Sequence, residues 1–90
     1  MNRCIQLNVR DNIAVALRPL VKGEILTVGG RTVTLQDDID FGHKFALCEI
    51  PAGENVLKYG LPIGHATVPV QPGQWVHVHN LASNYMLTRK

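Results

Sequence analysis

Two of the four histidines and two of the four lysines fall between Phe41 and Ala66, in FGHKFALCEIPAGENVLKYGLPIGHA, among four of the eight glycines and two of the five prolines. Gly42-His43-Lys44 sets an imidazole beside an ammonium. The imidazole suits proton transfer and the ammonium suits a carboxylate. Lys58-Tyr59-Gly60 places a cation and a phenol ahead of a loop, where glycine lets backbone approach a ligand closely. His77-Val78-His79 on a strand would put two imidazoles on one side, roughly 7 Å apart. With a twist or bulge they would share a metal, and His43 is a candidate third ligand. Each group also has a plain structural reading: a polar turn, a surface lysine beside a packed aromatic, an exposed strand face. No Ser-His-Asp order, phosphate loop or dinucleotide fingerprint accompanies them, so the chain does not spell out a complete active site.

The elements that must hold these residues read as strands. Ile5, Leu7 and Val9 alternate through residues 4–9, and residues 13–17 form a more continuously apolar run. Residues 25–28 and 31–35 are β-branched runs around Gly29-Gly30, a strong hairpin pattern because both loop residues must take positive φ. Gln36 to Asp40 has the acids of a short helical turn. Residues 44–50 and 54–60 read as strands, 61–64 as a loop, and 66–70 as extended with Pro69 at an edge or bulge. Residues 74–81 alternate cleanly as a final strand carrying His77 and His79 on one face, and Tyr85, Met86 and Leu87 follow in a mixed tail. One corner recurs: an apolar residue, two others, Gly, Glu or Gln, one more, then apolar. It starts at Leu20, Ile50 and Val70, spaced 30 and then 20 residues apart. Unequal spacing argues against a solenoid and for a compact body of short strands joined by similar corners. All-β is the expected class.

Ninety residues at 46% hydrophobic composition make one folded domain and exclude intrinsic disorder. A core of this size does not easily enclose a deep pocket, which favours a site completed by a partner. The net charge of +2 comes partly from the chain ends, and there is no basic stripe, so a nucleic-acid role has no support. No apolar run approaches the ~20 residues of a membrane span. Cys4 and Cys48 belong to no CxxC pair and read as reduced thiols, small core residues and not nucleophiles, in a soluble cytoplasmic protein.

GHKFAL (42–47), IPAGENVLKYG (50–60), PIG (62–64) and WVHVHN (75–80), in that order, resemble the amino-terminal SAF domain of the altronate and galactarate dehydratase family. The recurring corner is similar to the SAF signature, and the resemblance spans residues 11 to 81. It implies a β-clip fold of short strands and hairpins, with residues 1–90 as a single SAF domain. It also implies work alongside a larger catalytic dehydratase subunit on a sugar acid such as altronate or galactarate, with Fe²⁺ or another divalent metal shared with that subunit. Carried to the matching positions, the resemblance assigns catalytic roles to His43, Lys44, Lys58 and Tyr59. It assigns substrate binding to Gly60, His79 and Asn80, and metal ligation to His77 and His79. His65, after PIG, stands where variation is expected. A start at Met and an end soon after WVHVHN fit a free-standing small subunit, with homo-oligomers open. The alternatives are the small subunit of a sulfolactate sulfo-lyase-like C–S lyase and a non-enzymatic carbohydrate-binding SAF module.

Overall fold

The computed structural model describes residues 2–84, and there the backbone forms short antiparallel strands without an α-helix. In chain order these are β1 (Cys4–Ile5), β2 (Ile13–Ala16), β3 (Ile25–Val28), β4 (Arg31–Thr34), β5 (Lys44–Ala46), β6 (Asn55–Lys58), β7 (Leu61–Ala66), β8 (Trp75–Val76) and β9 (Leu81–Ala82). A central sheet runs β1-β2-β5-β8, β3 and β4 form one hairpin, and β6, β7 and β9 form a three-stranded sheet.

Strand alternation gives the central sheet two buried faces. Ala14, Ala16 and Phe45 point to one face and pack against Leu26, Val28, Val33 and Leu35 of the first hairpin, with Trp75 half-buried beside them. Ile13, Val15, Ala46 and Val76 point to the other and pack against Val56, Ala66, Ile63 and Leu81. Each fully buried Ile, Leu, Val or Phe contributes about 1.5–3 kcal/mol of burial, so the fold is a sheet held between two hairpins.

The recurring corner has a fourth copy. Leu20, Ile39, Ile50 and Val70 each begin one, each form an isolated bridge (Leu20 with Ile39, Ile50 with Val70), and each is followed three residues later by a glycine at positive φ. Those glycines, Gly23, Gly42, Gly53 and Gly73, have φ of 94°, 83°, 88° and 86°. The fourth copy, Ile39-Asp40-Phe41-Gly42-His43-Lys44-Phe45, has His in the place of Glu or Gln, which hides it in the sequence. The four corners mark an approximate repeat, offset by about 30 residues, that carries β2 onto β5 and β5 onto β8 and so places the two hairpins on opposite faces of the sheet. Ala14 pairs with Phe45, and Val15 with Lys44. Gly42 N donates to Ala16 O as Gly73 N does to Ala46 O, both at 2.8 Å. Gly23 N donates to Leu35 O and Gly53 N to Ala66 O, at 2.9 and 2.7 Å.

The all-β expectation, the Gly29-Gly30 hairpin and the compact body of similar corners all hold. Several boundaries do not. Residues 36–40 form a bend and a bridge instead of a helical turn, because Asp37 and Asp38 receive Trp75 N and Lys22 N at 2.9 and 2.8 Å from other segments. Residues 61–64 belong to β7 and are not a loop: Pro62 is tolerated at the bulge where register shifts between Val56 and Leu57. The expected strand over 74–81 stops at Val76. Residues 77–80 turn, with Asn80 N donating to His77 O and Asn80 Oδ1 accepting from His77 N, both at 3.0 Å. Residues 66–70 and 4–9 are likewise strand only at Ala66 and at Cys4–Ile5. Tyr85, Met86 and Leu87 lie outside the described residues.

Candidate functional site

The corner before β5 and the turn after β8 bring three histidines around one indole. The His43, Trp75 and His77 rings are nearly parallel, 9–12° apart in plane, with centroids separated by 5.2–5.7 Å. His79 leans on Trp75 at 4.9 Å with a 40° tilt. Asn80, only 5% exposed, makes this geometry: besides its bonds to His77, its side chain donates to Trp75 O at 2.9 Å. The Trp75 indole N–H is buried with no hydrogen-bond partner among the described residues. Such a donor carries a penalty that an incoming acceptor would relieve. Asn80 is therefore a positioning residue here, while His79 is exposed and free to meet a ligand.

Lys44 and His43 are neighbours in the chain but not in space. Lys44 shares the face of Ala46, and His43 stacks with Trp75 on the face of Phe45. The Lys44 ammonium is half-buried, and its pKa is held below the ordinary lysine value, first by burial and then by the charge of Lys58. Lys58 ends β6, with its Nζ 5.9 Å from the centroid of the Tyr59 ring, within reach of a cation–π contact. Tyr59 and Gly60 form the two-residue loop to β7, at φ of 59° and 74°. Tyr59 is the one non-glycine residue at positive φ among those described, and it is 64% exposed. Asp11, only 5% exposed, holds this loop by accepting from Tyr59 N and Gly60 N at 3.0 and 2.7 Å. Asn12 continues the clamp, accepting from Leu57 N and donating to Asn55 O.

The predicted residues thus fall into two groups, His43-His77-His79 with Asn80, and Lys44-Lys58-Tyr59-Gly60. His65 joins neither. It pairs with Asn55 at the hairpin's base, and its Nδ1 lies 2.7 Å from Asn84 Oδ1. His77 and His79 do not sit on one strand face as expected, because the turn at 77–80 replaces that strand. Among the described residues no three His, Cys, Asp or Glu side chains come together as a metal site. The His43 and His77 rings lie nearly parallel, 11° apart in plane with centroids 5.5 Å apart. Asp11, Asn12 and Trp75 matter more than their local sequence suggests. Asp11-Asn12 reads only as a turn, and nothing nearby reveals a partner 48 residues on. Cys4 and Cys48 are free thiols.

An all-β sheet between two hairpins with similar corners defines a β-clip module, and comparison with known proteins agrees. Residues 2–84 match the altronate/galactarate dehydratase SAF domain, and the chain belongs to that family. It is 49% identical to the altronate dehydratase of Escherichia coli (strain K12) over 89% of its own length and 16% of the relative's. With the altronate dehydratase of Bacillus subtilis (strain 168) the identity is 42%, over 93% of the chain and 17% of the relative. The chain thus spans about a sixth of these enzymes. It is also 36% identical to the (2R)-sulfolactate sulfo-lyase subunit alpha of Chromohalobacter salexigens, over 74% of the chain and 78% of that subunit. No helix of the described residues is long and apolar enough to cross a membrane.

Proposed function

We propose that this chain is the SAF module of a cytoplasmic hydro-lyase that dehydrates a sugar acid such as altronate or galactarate, acting with a larger catalytic part. The observation that carries this reading is the coverage: the match fills 89% of the chain but 16% of an altronate dehydratase. A catalyst of that kind would keep most of its machinery outside these residues. Exposed apolar side chains lie beside both residue groups, Phe41 and Val78 near the rings and Leu61 near the lysines. Covering them would give a partner its footing.

In the reaction, the proton α to the carboxylate leaves and the β-hydroxyl departs as water. On the ring side of β5, His43 moves a proton and His79 meets a hydroxyl; Lys44 or Lys58, on the other side, steadies the carboxylate of an acid bound there, with the Tyr59 phenol meeting its hydroxyl. Fe²⁺ or another divalent ion, expected from the family, would be held largely by the larger part, with His77 or His79 as this chain's contribution. A second reading, a C–S lyase acting on a sulfonated hydroxy acid, is favoured by the 78% coverage of the sulfo-lyase alpha subunit.

The test is reconstitution with whatever larger chain co-purifies, assayed on altronate, galactarate and sulfolactate with added Fe²⁺. His43→Ala should lower kcat by about 10²-fold or more, against less than about 3-fold for His65→Ala, which is remote from both groups. Equal, mild losses would sink the assignment. Turnover of sulfolactate alone would select the second reading.

A further inference from the structure

The repeat that carries β2 onto β5 also sets β1 against β2 as β2 is set against β5. Cys4 pairs with Ala16 as Ile13 pairs with Ala46, and Ile5 with Val15 as Ala14 with Phe45. Leu17 N donates to Arg3 O at 2.8 Å, and Leu47 N to Asn12 O at 2.9 Å. Asn2 and Arg3 therefore stand to the first hairpin as Asp11 and Asn12 stand to the second. Arg3 keeps part of its counterpart's role. Its Nη2 donates to Ile25 O at 3.0 Å, as Asn12 Nδ2 donates to Asn55 O at 3.0 Å.

The first hairpin lacks the rest of that cover. Along β6, Asn12 Oδ1 accepts from Leu57 N at 2.8 Å, and Asp11 accepts from both loop amides. Along β3, the backbone groups that point away from β4 are those of Ile25 and Thr27, which alternate with the bonded pairs of the ladder. Among the described residues nothing accepts from Thr27 N, the counterpart of Leu57 N, and Asn2 is exposed where Asp11 is buried. A cleft of about 270 Å³ opens there among the described residues, between Asn2, Arg3 and Cys4 on one side and Ile25, Leu26 and Thr27 on the other. The Gln6 side chain closes its loop end, lying where a Cβ of Gly29 would be. A second hollow, of about 240 Å³, continues from Asn2 and Arg3 to Leu17 and Arg18. Leu17 and Ile25 are 41% and 60% exposed, so the lining joins apolar surface to two guanidiniums, only one of which, that of Arg3, is paired with Glu24.

We infer that this cleft is a docking site for an extended segment of the larger catalytic part, which lays an acidic side chain between β1 and β3. The incoming carboxylate accepts from Thr27 N, as Asn12 Oδ1 accepts from Leu57 N, and from the Arg3 guanidinium. Arg18 supplies the remaining charge complement, and the segment covers Leu17 and Ile25. β1 and β8 are opposite edges of the central sheet, so the contact lies away from the rings around Trp75 and leaves them open to a ligand. The inference rests on the proposed partnership, whose other member would correspond to the altronate dehydratase outside the matched 16%.

The test is amide hydrogen exchange of the full chain, alone and with the larger chain that co-purifies with it. Binding should slow exchange at Thr27. Arg3→Ala and Thr27→Pro should each weaken the complex about tenfold or more. The proline removes an N–H that takes no part in the ladder to β4, which a strand edge tolerates. Arg10→Gln, outside the cleft, should change nothing. A complex that leaves Thr27 exchange unchanged, or that both variants form as tightly as the parent, would overturn the docking site and leave the lyase reading standing. Protection of Thr27 in the free chain that grows with its concentration would give the cleft to a second copy and overturn the assignment, as would recovery of no larger chain. Protection of Thr27 in a complex that dehydrates no acid would refute the lyase reading and leave the docking site standing.

Discussion

Hairpin β3–β4 and hairpin β6–β7 cover opposite faces of one sheet through equivalent corners and equivalent two-residue loops, yet only the first is built purely for packing. Its Val28, Val33 and Leu35 fill the core, and its loop is Gly29-Gly30. The second replaces Val28 by Lys58, Gly29 by Tyr59 and Val33 by Gly64, and gains a bulge. Gly64 has a structural reason, since a Cβ there would collide with the Ala82 carbonyl oxygen, so glycine is what lets β9 lie against this hairpin. Lys58 and Tyr59 have no such reason. When two halves share a frame, packing accounts for what they have in common, and function is to be sought where they differ.

The equivalence of the corners is tested most severely at their glycines. Gly53 and Gly73 have φ within 2° of each other, 88° and 86°. A Cβ on Gly53 meets nothing within 4 Å, whereas one on Gly73 runs into the Thr34 carbonyl oxygen. Gly53→Ala should therefore cost about 1 kcal/mol, the left-handed penalty alone. Gly73→Ala should cost upward of about 3 kcal/mol, a fall in Tm of more than about 10 °C. Equal costs by thermal denaturation would mean that the corners are not set by the contacts described. A smaller effect tests the clamp peculiar to the second hairpin. Asp11→Ala leaves Tyr59 N and Gly60 N without their acceptor and should cost about 2 kcal/mol. Hydrogen exchange should speed up at Tyr59 and Gly60 but not at Gly29 and Gly30. Equal acceleration in both loops would make Asp11 a general core residue and not a clamp.

How much of this was legible in the chain follows the range of each interaction. The Gly29-Gly30 hairpin and three of the four corners are local and were readable, because positive φ demands glycine whatever the surroundings. The fourth corner was hidden by His43 in the Glu or Gln position, and with it went the repeat that sets Lys44 in the place of Ala14. Alternation of Val76, Val78 and the two histidines reads as a strand. Only the Asn80 side chain, bonded back to His77 and Trp75, turns the chain there. The candidate residues were legible by type, but not their division between two faces. Adjacent residues on a strand point apart, and no local rule says which neighbour across the sheet each will meet. Aligning residues 13–46 with residues 43–76 shows lysines at the positions of Ala14 and Val28 from sequence alone.

The smallest expected effect is the most specific to the comparison, for it asks what the second half gives up by not resembling the first. Lys44→Ala restores the Ala14 pattern and removes a half-buried cation on which the charge of Lys58 acts. The pair is partly solvated, so at neutral pH the gain in stability should be only about 0.5 kcal/mol. The sign with pH is distinctive. Because burial and Lys58 hold the folded-state pKa of Lys44 below the ordinary 10.5, the unfolded chain binds more protons than the folded one between those two values. The penalty is therefore present in full at neutral pH and fades as pH rises through the folded pKa toward 10.5. Cys4, whose thiol is pushed up by burial, contributes the opposite trend near its own titration, but equally in both proteins. The stability difference between Lys44→Ala and the parent, measured by urea unfolding from neutral to alkaline pH, should then shrink toward zero. A difference that stays constant would show that Lys44 is not strained by its neighbour. The second hairpin would then differ from the first in composition without any stored cost for a bound acid to relieve.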